Sequence, residues 1–240
     1  NPTTSVSVGN ITYSAEARSP LPSFLDAGGK FSAQSIKVAG EDWGAFEYSF
    51  NAKHLHAASV DAFAKVVREA YAASTRSAQP TQATAQMQST MLDAFKKHGG
   101  VLLKNEPVIE LEKLRVGTER EYLSLNATVR FAGVTDADVA NPALLIPKLN
   151  ARAEIVLTEA MLTRIASKAP APRAPAVPGS EPVAGAGMPA GNDTLLMVNA
   201  QLDNAVAQGY VIRGGGTLKS TITFADGKLS VNGRAVEGLR

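Results

Sequence analysis

The chain has 240 residues, of which 45% are hydrophobic and 19% are charged, as in an ordinary folded globular protein. Its 24 Lys and Arg residues nearly balance 22 Asp and Glu residues and form no basic cluster, so the sequence gives no support for nucleic-acid binding. Cysteine is absent, which excludes disulfides, thiol catalysis and thiolate metal sites.

The first residues of the chain give information about where in the cell the protein is located. No apolar run approaches the roughly 20 residues that span a membrane, and Asn1 begins in polar, strand-like sequence without a signal peptide. The opening NPTTSVSVGNITYSAE lacks Met, so we interpret the sequence as a processed or trimmed part of a longer chain. The lack of cysteine, with many Gly and Ala residues, suggests export in a bacterium.

Alternating apolar residues predict three strands in the first quarter of the chain. The first strand contains Val6, Val8, Ile11 and Tyr13, and a change of phase near Gly9 predicts a bulge there. We expect a loop from Pro20 through Gly28-Gly29. Two more strands, KFSAQSIKVAG and DWGAFEYSFNA, follow with a hairpin connection at Gly40.

Helical spacing then predicts two helices. Ser59 can cap the first, whose apolar stripe runs from Val60 to Tyr71. The second carries Met87, Met91 and Phe95 on one side and is expected to end at Gly99-Gly100.

The segment PVIELEKLRVGTEREYLSLNATVRFAG predicts the clearest pair of strands. In the first strand, Ile109 and Leu111 are out of phase with Leu114 and Val116, so a bulge near Glu112-Lys113 would keep all four on one face. The charged residues of this segment, among them Glu110, Glu112, Glu119 and Glu121, are interpreted as the solvated side of the sheet.

Helices and strands alternate through the rest of the chain. Asn141 and Pro142 start a short helix, ARAEIVLT forms a strand, and Thr158 can cap the helix that follows. Residues 169–191 are rich in Pro and Ala, which predicts a mobile insertion. A last helix ends at Gly209, and FADGKLSVNGRAV predicts a closing hairpin with turns at Asp226-Gly227 and Asn232-Gly233.

This order of elements predicts the fold class. Strands arrive in pairs joined by short turns, which favours an α+β fold with a twisted, mainly antiparallel sheet of paired strands and helices packed on one face. The last helix and hairpin are too small to fold alone, so we expect residues 1–240 to form a single domain that carries the insertion.

Two groups of residues are candidates for a site. His54 and His56, two apart on an extended segment, point to the same side and could bind a metal, but the sequence selects no third ligand; a solvated pair is the simpler interpretation. Trp43, Phe46, Tyr48 and Phe50 concentrate the aromatic residues of the first half, either as core or as an apolar ligand slot beneath movable helices. The segment RGGGTLK, residues 213–219, lacks the spacing of a phosphate-binding loop and is interpreted as a turn between strands.

The succession LLKNEPVIELEKLRVGTER, NPALLIPKL and GYVIRGGGTLKSTITFADGKLSVNGRAV resembles the second half of the YdgA-type family of bacterial envelope proteins of unknown function. HLHAASVDAFAKVV also resembles that family, and the similarity extends in order over most of residues 40–236. The resemblance implies a periplasmic protein that can form a homodimer and is held to the inner membrane by a segment absent from this sequence. It supplies no catalytic motif.

We therefore expect a non-enzymatic envelope domain, without a cofactor, that binds a lipid or other apolar ligand or a protein partner, or that self-associates. The alternative is a metal-dependent hydrolase that uses His54 and His56.

Overall fold

The computed structural model describes residues 5–74, 87, 89–90, 93–94, 98–168 and 190–236. In this part of the chain, eleven strands form one sheet in which every pairing is antiparallel. The strands are β1 (Val6–Arg18), β2 (Phe24–Val38), β3 (Glu41–Asp42), β4 (Ala45–His56), β5 (Val108–Gly117), β6 (Tyr122–Phe131), β7 (Leu149–Thr158), β8 (Ile212–Gly214), β9 (Thr217–Ala225), β10 (Lys228–Val231) and β11 (Arg234–Ala235).

The sheet follows the order of the chain and stays open. Its order is β1-β2-β4-β5-β6-β7-β9-β10-β11, with β3 paired to β2 and β8 paired to β9. Neighbours in sequence are thus mostly neighbours in space, as the short turns between apolar stretches predict. The predicted α+β class with an antiparallel sheet is confirmed.

Helices are inserted between the strands. The described helices are α1 (Ala57–Ser74), α2 (Asp136–Ala140), a 3₁₀ helix (Pro142–Lys148), α3 (Glu159–Lys168) and α4 (Ala190–Ala207). Residues 98–104 are also helical. No helix in the described residues combines the length and the apolar character needed to cross a membrane.

Several local predictions are confirmed. The hairpin turns at Ala39-Gly40, Asp226-Gly227 and Asn232-Gly233 all have positive φ at both positions, as tight turns that match the strand twist require. Asn141 accepts a hydrogen bond from the Ala143 N–H at the start of the 3₁₀ helix. Thr158 Oγ1 accepts one from the Met161 N–H and so caps α3.

The two predicted bulges have opposite outcomes. In β5 the register shifts between Leu111 and Leu114, so the bulge at Glu112-Lys113 is confirmed. In β1 the bulge near Gly9 is wrong, because the register with β2 is the same before and after this position. Asn10 instead adopts a φ of 50° without adding a residue to the pairing.

The loop expected at Gly28-Gly29 is also wrong, since both glycines lie buried inside β2. A Cβ at Gly29 would come within 2.7 Å of the Phe50 ring, and one at Gly28 would meet the Asn51 side chain. These glycines therefore mark close approach of side chains from β4 and not a break in the strand.

Two helix boundaries differ from the prediction. Helix α1 begins at Ala57, whose N–H donates to the Ser23 carbonyl, and Ser59 lies inside its first turn, where its hydroxyl is 2.8 Å from His56 Nδ1. Gly99-Gly100 does not end a helix but lies within helical residues 98–104. At Gly100 a Cβ would clash with Val139, so this glycine permits close helix packing.

Two predictions concern residues that are only partly described. The predicted insertion at 169–191 lies outside the described residues except for its last two, which begin α4. Of the predicted methionine stripe, Met91 and Phe95 also lie outside them, whereas Met87 is helical.

Among the described residues, the few buried apolar side chains lie mainly on the helices and on the segments that meet them. They are Leu103, Val134, Met161 and Leu218, with three alanines, Ala33, Ala94 and Ala166. Most side chains of the long strands are instead half-buried or exposed. The described helices therefore leave much of the sheet open.

A candidate apolar binding face

One face of the sheet is apolar across its N-terminal strands. Residues opposite each other in an antiparallel pair point to the same face. Phe31 of β2 lies opposite Tyr48 of β4, and Tyr48 lies opposite Leu114 of β5. The rows on either side of this one run Ala33, Phe46, Val116 and Gly29, Phe50, Leu111. Three consecutive rows of apolar side chains thus cross three strands.

This surface extends to β1 and is named the apolar face. Ile11 lies opposite Ala33, and Tyr13 lies opposite Phe31. Its larger side chains are Ile11, Tyr13, Phe31, Phe46, Tyr48, Phe50, Ile109, Leu111, Leu114 and Val116.

Ring contacts order the aromatic part of the apolar face. The Phe31 and Phe46 rings meet edge to face at 5.8 Å between centroids, and the Tyr48 and Phe50 rings are 5.7 Å apart at a tilt of 37°. Such pairs contribute about 1 kcal/mol each beyond their burial. The aromatic rings thus form an ordered surface.

The apolar face is open to solvent. Tyr13 is 69% exposed, Ile11 58% and Ile109 45%, while Phe46, Tyr48 and Phe50 are half-buried. Side chains of this size normally lie inside a protein. The expected slot, an aromatic sheet closed by helices, is therefore an open surface at these positions.

Two helices, α3 and α4, lie on the same side of the sheet, where the start of α3 and the α4 residue Asp203 meet the C-terminal strands. Arg213 of β8 lies opposite Leu218, whose row includes Leu157 on the apolar side. The Arg213 guanidinium donates to both carboxylate oxygens of Glu159 in α3 and to Asp203 in α4. These contacts place α3 and α4 over the row that contains the buried Leu218.

Trp43 is separated from the other three candidate aromatics. It lies between β3 and β4 at the end of the sheet, where its backbone N–H donates a hydrogen bond to the Ile36 carbonyl. The guanidinium of Arg164 in α3 lies 4.7 Å from the centre of its ring. The structure therefore brings Phe46, Tyr48 and Phe50 together on one face and uses Trp43 to anchor α3 through a cation–π contact.

The opposite face of the sheet is polar, as the sequence predicts for Glu110 and Glu112. Lys53 pairs with Glu110 at 2.5 Å, Lys113 pairs with Glu47, and Lys219 pairs with Glu154 at 2.7 Å. An open cavity of about 470 Å³ is lined mainly by residues of this face, together with Phe31 and Tyr48; the lining residues are Lys30, Phe31, Ser32, Glu47, Tyr48, Ser49, Glu112 and Lys113. The segment RGGGTLK ends inside β9, as predicted.

The two candidate metal ligands contact a phenyl ring. His54 stacks on Phe24 at 4.2 Å between ring centroids, and His56 meets the same ring edge-on at 6.4 Å. His54 lies in a bulge opposite Asp26 and has a φ of 59°. The Asp26 carboxylate accepts a hydrogen bond from the backbone N–H of His54. Within the described residues, no three His, Asp or Glu side chains are grouped closely enough to hold a metal. The pair therefore acquires no third ligand in this part of the structure.

The model of a family described as "Bacterial protein of unknown function (DUF945)" matches residues 1–237. The chain belongs to the DUF945 family. The match includes the N-terminal strands, which lie before the motifs recognised at 40–236. No match was found among curated proteins or among solved structures.

Sequence reasoning missed the parts of the site supplied by β1, β2 and β5. The alternation of apolar residues places Phe31, Tyr13 and Leu114 in strands but does not indicate that they share a surface with the aromatic residues of β4. The turn at Gly40 contains the information needed to place Phe31. A two-residue turn fixes the register of the strands on either side of it, and this register places Phe31 opposite Tyr48.

Proposed function

We propose that this DUF945 domain is a non-enzymatic module that binds an apolar ligand on its apolar face. The observation that carries the proposal is the exposure of Ile11, Tyr13 and Ile109 around half-buried aromatic rings on an open sheet. Large contiguous apolar patches on folded proteins mark sites of contact with ligands, partners or membranes.

The shape of the apolar face favours a long, flexible ligand such as a lipid acyl chain. Its rows of aromatic and aliphatic side chains cross β1, β2, β4 and β5 without a charged residue. Each buried methylene group contributes about 0.8 kcal/mol, so a chain of about ten contributes ~8 kcal/mol before the entropic cost of binding. An apolar segment of a protein partner, or a second copy of this chain, would use the same physical attraction.

The location is part of the same proposal. The ordered motifs from LLKNEPVIELEKLRVGTER to the closing hairpin support assignment to the YdgA-type proteins within this bacterial family. On that basis the domain lies in the periplasm and is attached to the inner membrane by a segment outside this sequence. Residues 1–240 then form one domain, with the Pro/Ala-rich stretch at 169–191 as an insertion.

The proposal is tested on protein purified from a bacterial host without added detergent. Organic extraction followed by mass spectrometry identifies co-purified lipid, and metal analysis of the same sample measures bound zinc. We expect lipid approaching one molecule per chain. Stoichiometric zinc without lipid would contradict the proposal and support the hydrolase alternative. If neither lipid nor zinc is found, the proposal is also contradicted, and the domain would instead be a structural spacer that binds neither of them.

A further inference from the structure

Cationic side chains gather at one corner of the polar face, the side of the sheet opposite the apolar face. Arg152 of β7 lies opposite Thr128 of β6, and Thr128 lies opposite Glu110 of the polar face. Residues opposite each other share a face, so Arg152 is on the polar side. Arg130 follows Thr128 by two residues in β6 and therefore points to the same side.

A third cation comes from the hairpin that closes the sheet. Thr223 of β9 lies opposite Arg152, and Ser230 of β10 lies opposite Thr223, so this row also faces the polar side. Lys228 is two residues before Ser230 and lies opposite Ala225, whose small side chain leaves space for the lysine to extend toward β7. The three exposed cations form a surface named the cationic corner: Arg130, Arg152 and Lys228.

Within the described residues, no carboxylate forms an ion pair with the cationic corner. Glu110 lies in the row of Thr128, but it is held by Lys53 at 2.5 Å. Glu154, the next polar-face residue of β7, is held by Lys219 at 2.7 Å. The positive charge of the corner is therefore not compensated by the part of the chain that the structure describes.

Other cations of the polar face have contacts that fix them within the protein. The Arg115 guanidinium lies 4.3 Å from the centre of the Tyr122 ring and donates a hydrogen bond to the Thr118 carbonyl. Lys113 pairs with Glu47. The two arginines of the cationic corner have neither an ion pair nor a ring contact of this kind among the described residues.

Arg130 and Arg152 are close enough to hold one ligand between them. They occupy diagonal positions on neighbouring strands, which places them about 7–8 Å apart. Two like charges at this distance repel each other, so the pair costs stability unless an anion lies between them. Each guanidinium has a planar fork of N–H donors that matches two oxygens of one phosphate group.

We propose that the cationic corner binds the phosphate group of a soluble small molecule between Arg130 and Arg152. A phosphate monoester carries a charge of about −1.5 to −2 at pH 7, which compensates the two guanidinium groups. Lys228 adds a donor from the side of β10. Thr128 and Thr223, both half-buried, add hydroxyl groups on the two sides of Arg152. The site lies on the face opposite the apolar face, so it does not rest on the proposed function.

The composition of the cationic corner favours a small ligand over a membrane or a nucleic acid. Segments that bind anionic lipids have about four to eight basic residues, and nucleic-acid sites contact many phosphates. The corner has three cations, and the side chains between them are polar or small. These side chains are Thr128, Asn150, Thr223, Ala225 and Ser230. None of them is a large apolar residue of the kind that enters a bilayer.

A nuclear magnetic resonance titration with inorganic phosphate at neutral pH and constant ionic strength tests the proposal. The side-chain Nε–Hε signals of Arg130 and Arg152, assigned by their loss in Arg130→Gln and Arg152→Gln, should both shift and saturate with one dissociation constant. Each of these two variants should raise the dissociation constant about tenfold. Arg152→Lys keeps the charge but lacks the fork, so it should still raise the dissociation constant about threefold or more.

Lys30→Gln is the matched control. Lys30 is an exposed cation of the same face without an ion pair in the described residues, and it lies four strands from Arg152, about 19 Å away. Its charge is screened at that distance, so the control should change the dissociation constant less than about twofold. Circular dichroism checks that all variants fold.

Four results would overturn the proposal. They are no saturable shift with phosphate, equal weakening by Lys30→Gln and Arg152→Gln, full affinity in Arg152→Lys, or arginine-dependent sedimentation with vesicles that contain phosphatidylglycerol. The last result would assign the cationic corner to a membrane surface instead. Fatty-acid titration of Arg152→Gln reports separately on the apolar face, because the substitution lies on the other side of the sheet.

Discussion

Leu111 and Leu114 lie on the same face of β5 although they are three residues apart. Strict alternation would place them on opposite faces. Glu112 is the additional residue, and its carboxylate accepts hydrogen bonds from Ser49 Oγ at 2.7 Å and Asn51 Nδ2 at 2.5 Å. The bulge thus keeps four aliphatic residues of one strand on the apolar face.

Deletion of both Glu112 and Lys113 should disrupt this face more than loss of the Glu112 side chain alone. Without these two residues, Leu114 directly follows Leu111, so Leu114 and Val116 turn to the polar side and Arg115 turns to the apolar side. The free energy of unfolding, measured with urea, should therefore decrease by about 3 kcal/mol. Glu112→Ala keeps the bulge and loses only exposed hydrogen bonds, for about 1 kcal/mol or less. Equal losses in both variants would show that the phase of the strand does not matter.

The packing of α3 can be tested with two methionines. Met161 is 1% exposed, whereas Met197 in α4 is 45% exposed. Truncation of a fully buried Met to Ala costs about 2–5 kcal/mol, and truncation of an exposed one usually costs under about 1 kcal/mol. Thermal and urea denaturation of Met161→Ala and Met197→Ala should show this difference. Similar stabilities would mean that Met161 does not lie in a packed core.

The close approach of Phe50 to Gly29 predicts a steric effect. Gly29→Val places a side chain against the Phe50 ring, so the ring must shift, at a cost of about 1–3 kcal/mol. Gly214→Val serves as the control, because a Cβ there meets nothing within 4 Å. Urea unfolding measures both variants, and a stable Gly29→Val variant with unchanged near-ultraviolet circular dichroism contradicts the arrangement.

The ion pair between Arg213 and Glu159 predicts a pH dependence of stability. Hydrogen bonds from the Arg213 guanidinium lower the pKa of Glu159 below its ordinary value of 4.5. A carboxyl group with a lowered pKa in the folded state contributes stability above its unfolded pKa, and this contribution is lost as pH falls through the folded pKa. Melting temperatures measured from pH 7 to pH 3 should therefore decrease below about pH 5.

Arg213→Met should remove part of this decrease, so its melting temperature should fall less steeply with acid. Arg234→Met is the matched control, because the guanidinium of Arg234 bonds the Gln208 carbonyl and no carboxylate in the described residues. If Arg213→Met and the unmodified chain have parallel pH profiles, the ion pair does not contribute in solution.

Local features of the fold were predictable because their causes lie within a few residues. Asp226-Gly227 and Asn232-Gly233 have the residues that tight turns require, and Thr158 has the side chain that caps α3. The bulge at Glu112 followed from the change of phase between Leu111 and Leu114. Each of these signals is contained in a short stretch of sequence.

Features that depend on distant neighbours were not predictable in the same way. Gly28-Gly29 has the composition of a loop, but its neighbours are Asn51 and Phe50 on another strand. Trp43 is only three residues from Phe46, yet Arg164 of α3 holds it at the end of the sheet. The openness of the apolar face depends on where the helices pack, which periodicity alone does not specify.

The central claim is that the apolar face binds apolar molecules, and titration with a dansyl-labelled fatty acid tests it most directly. Tyr48→Lys places a charge within the aromatic rows, whereas Ser32→Lys places one on the polar face opposite Glu47. After circular dichroism has shown that both variants fold, we expect about tenfold weaker binding for Tyr48→Lys and a change of less than about twofold for Ser32→Lys. Equal affinities for both variants and the unmodified chain, or no binding by any of them, would contradict the account.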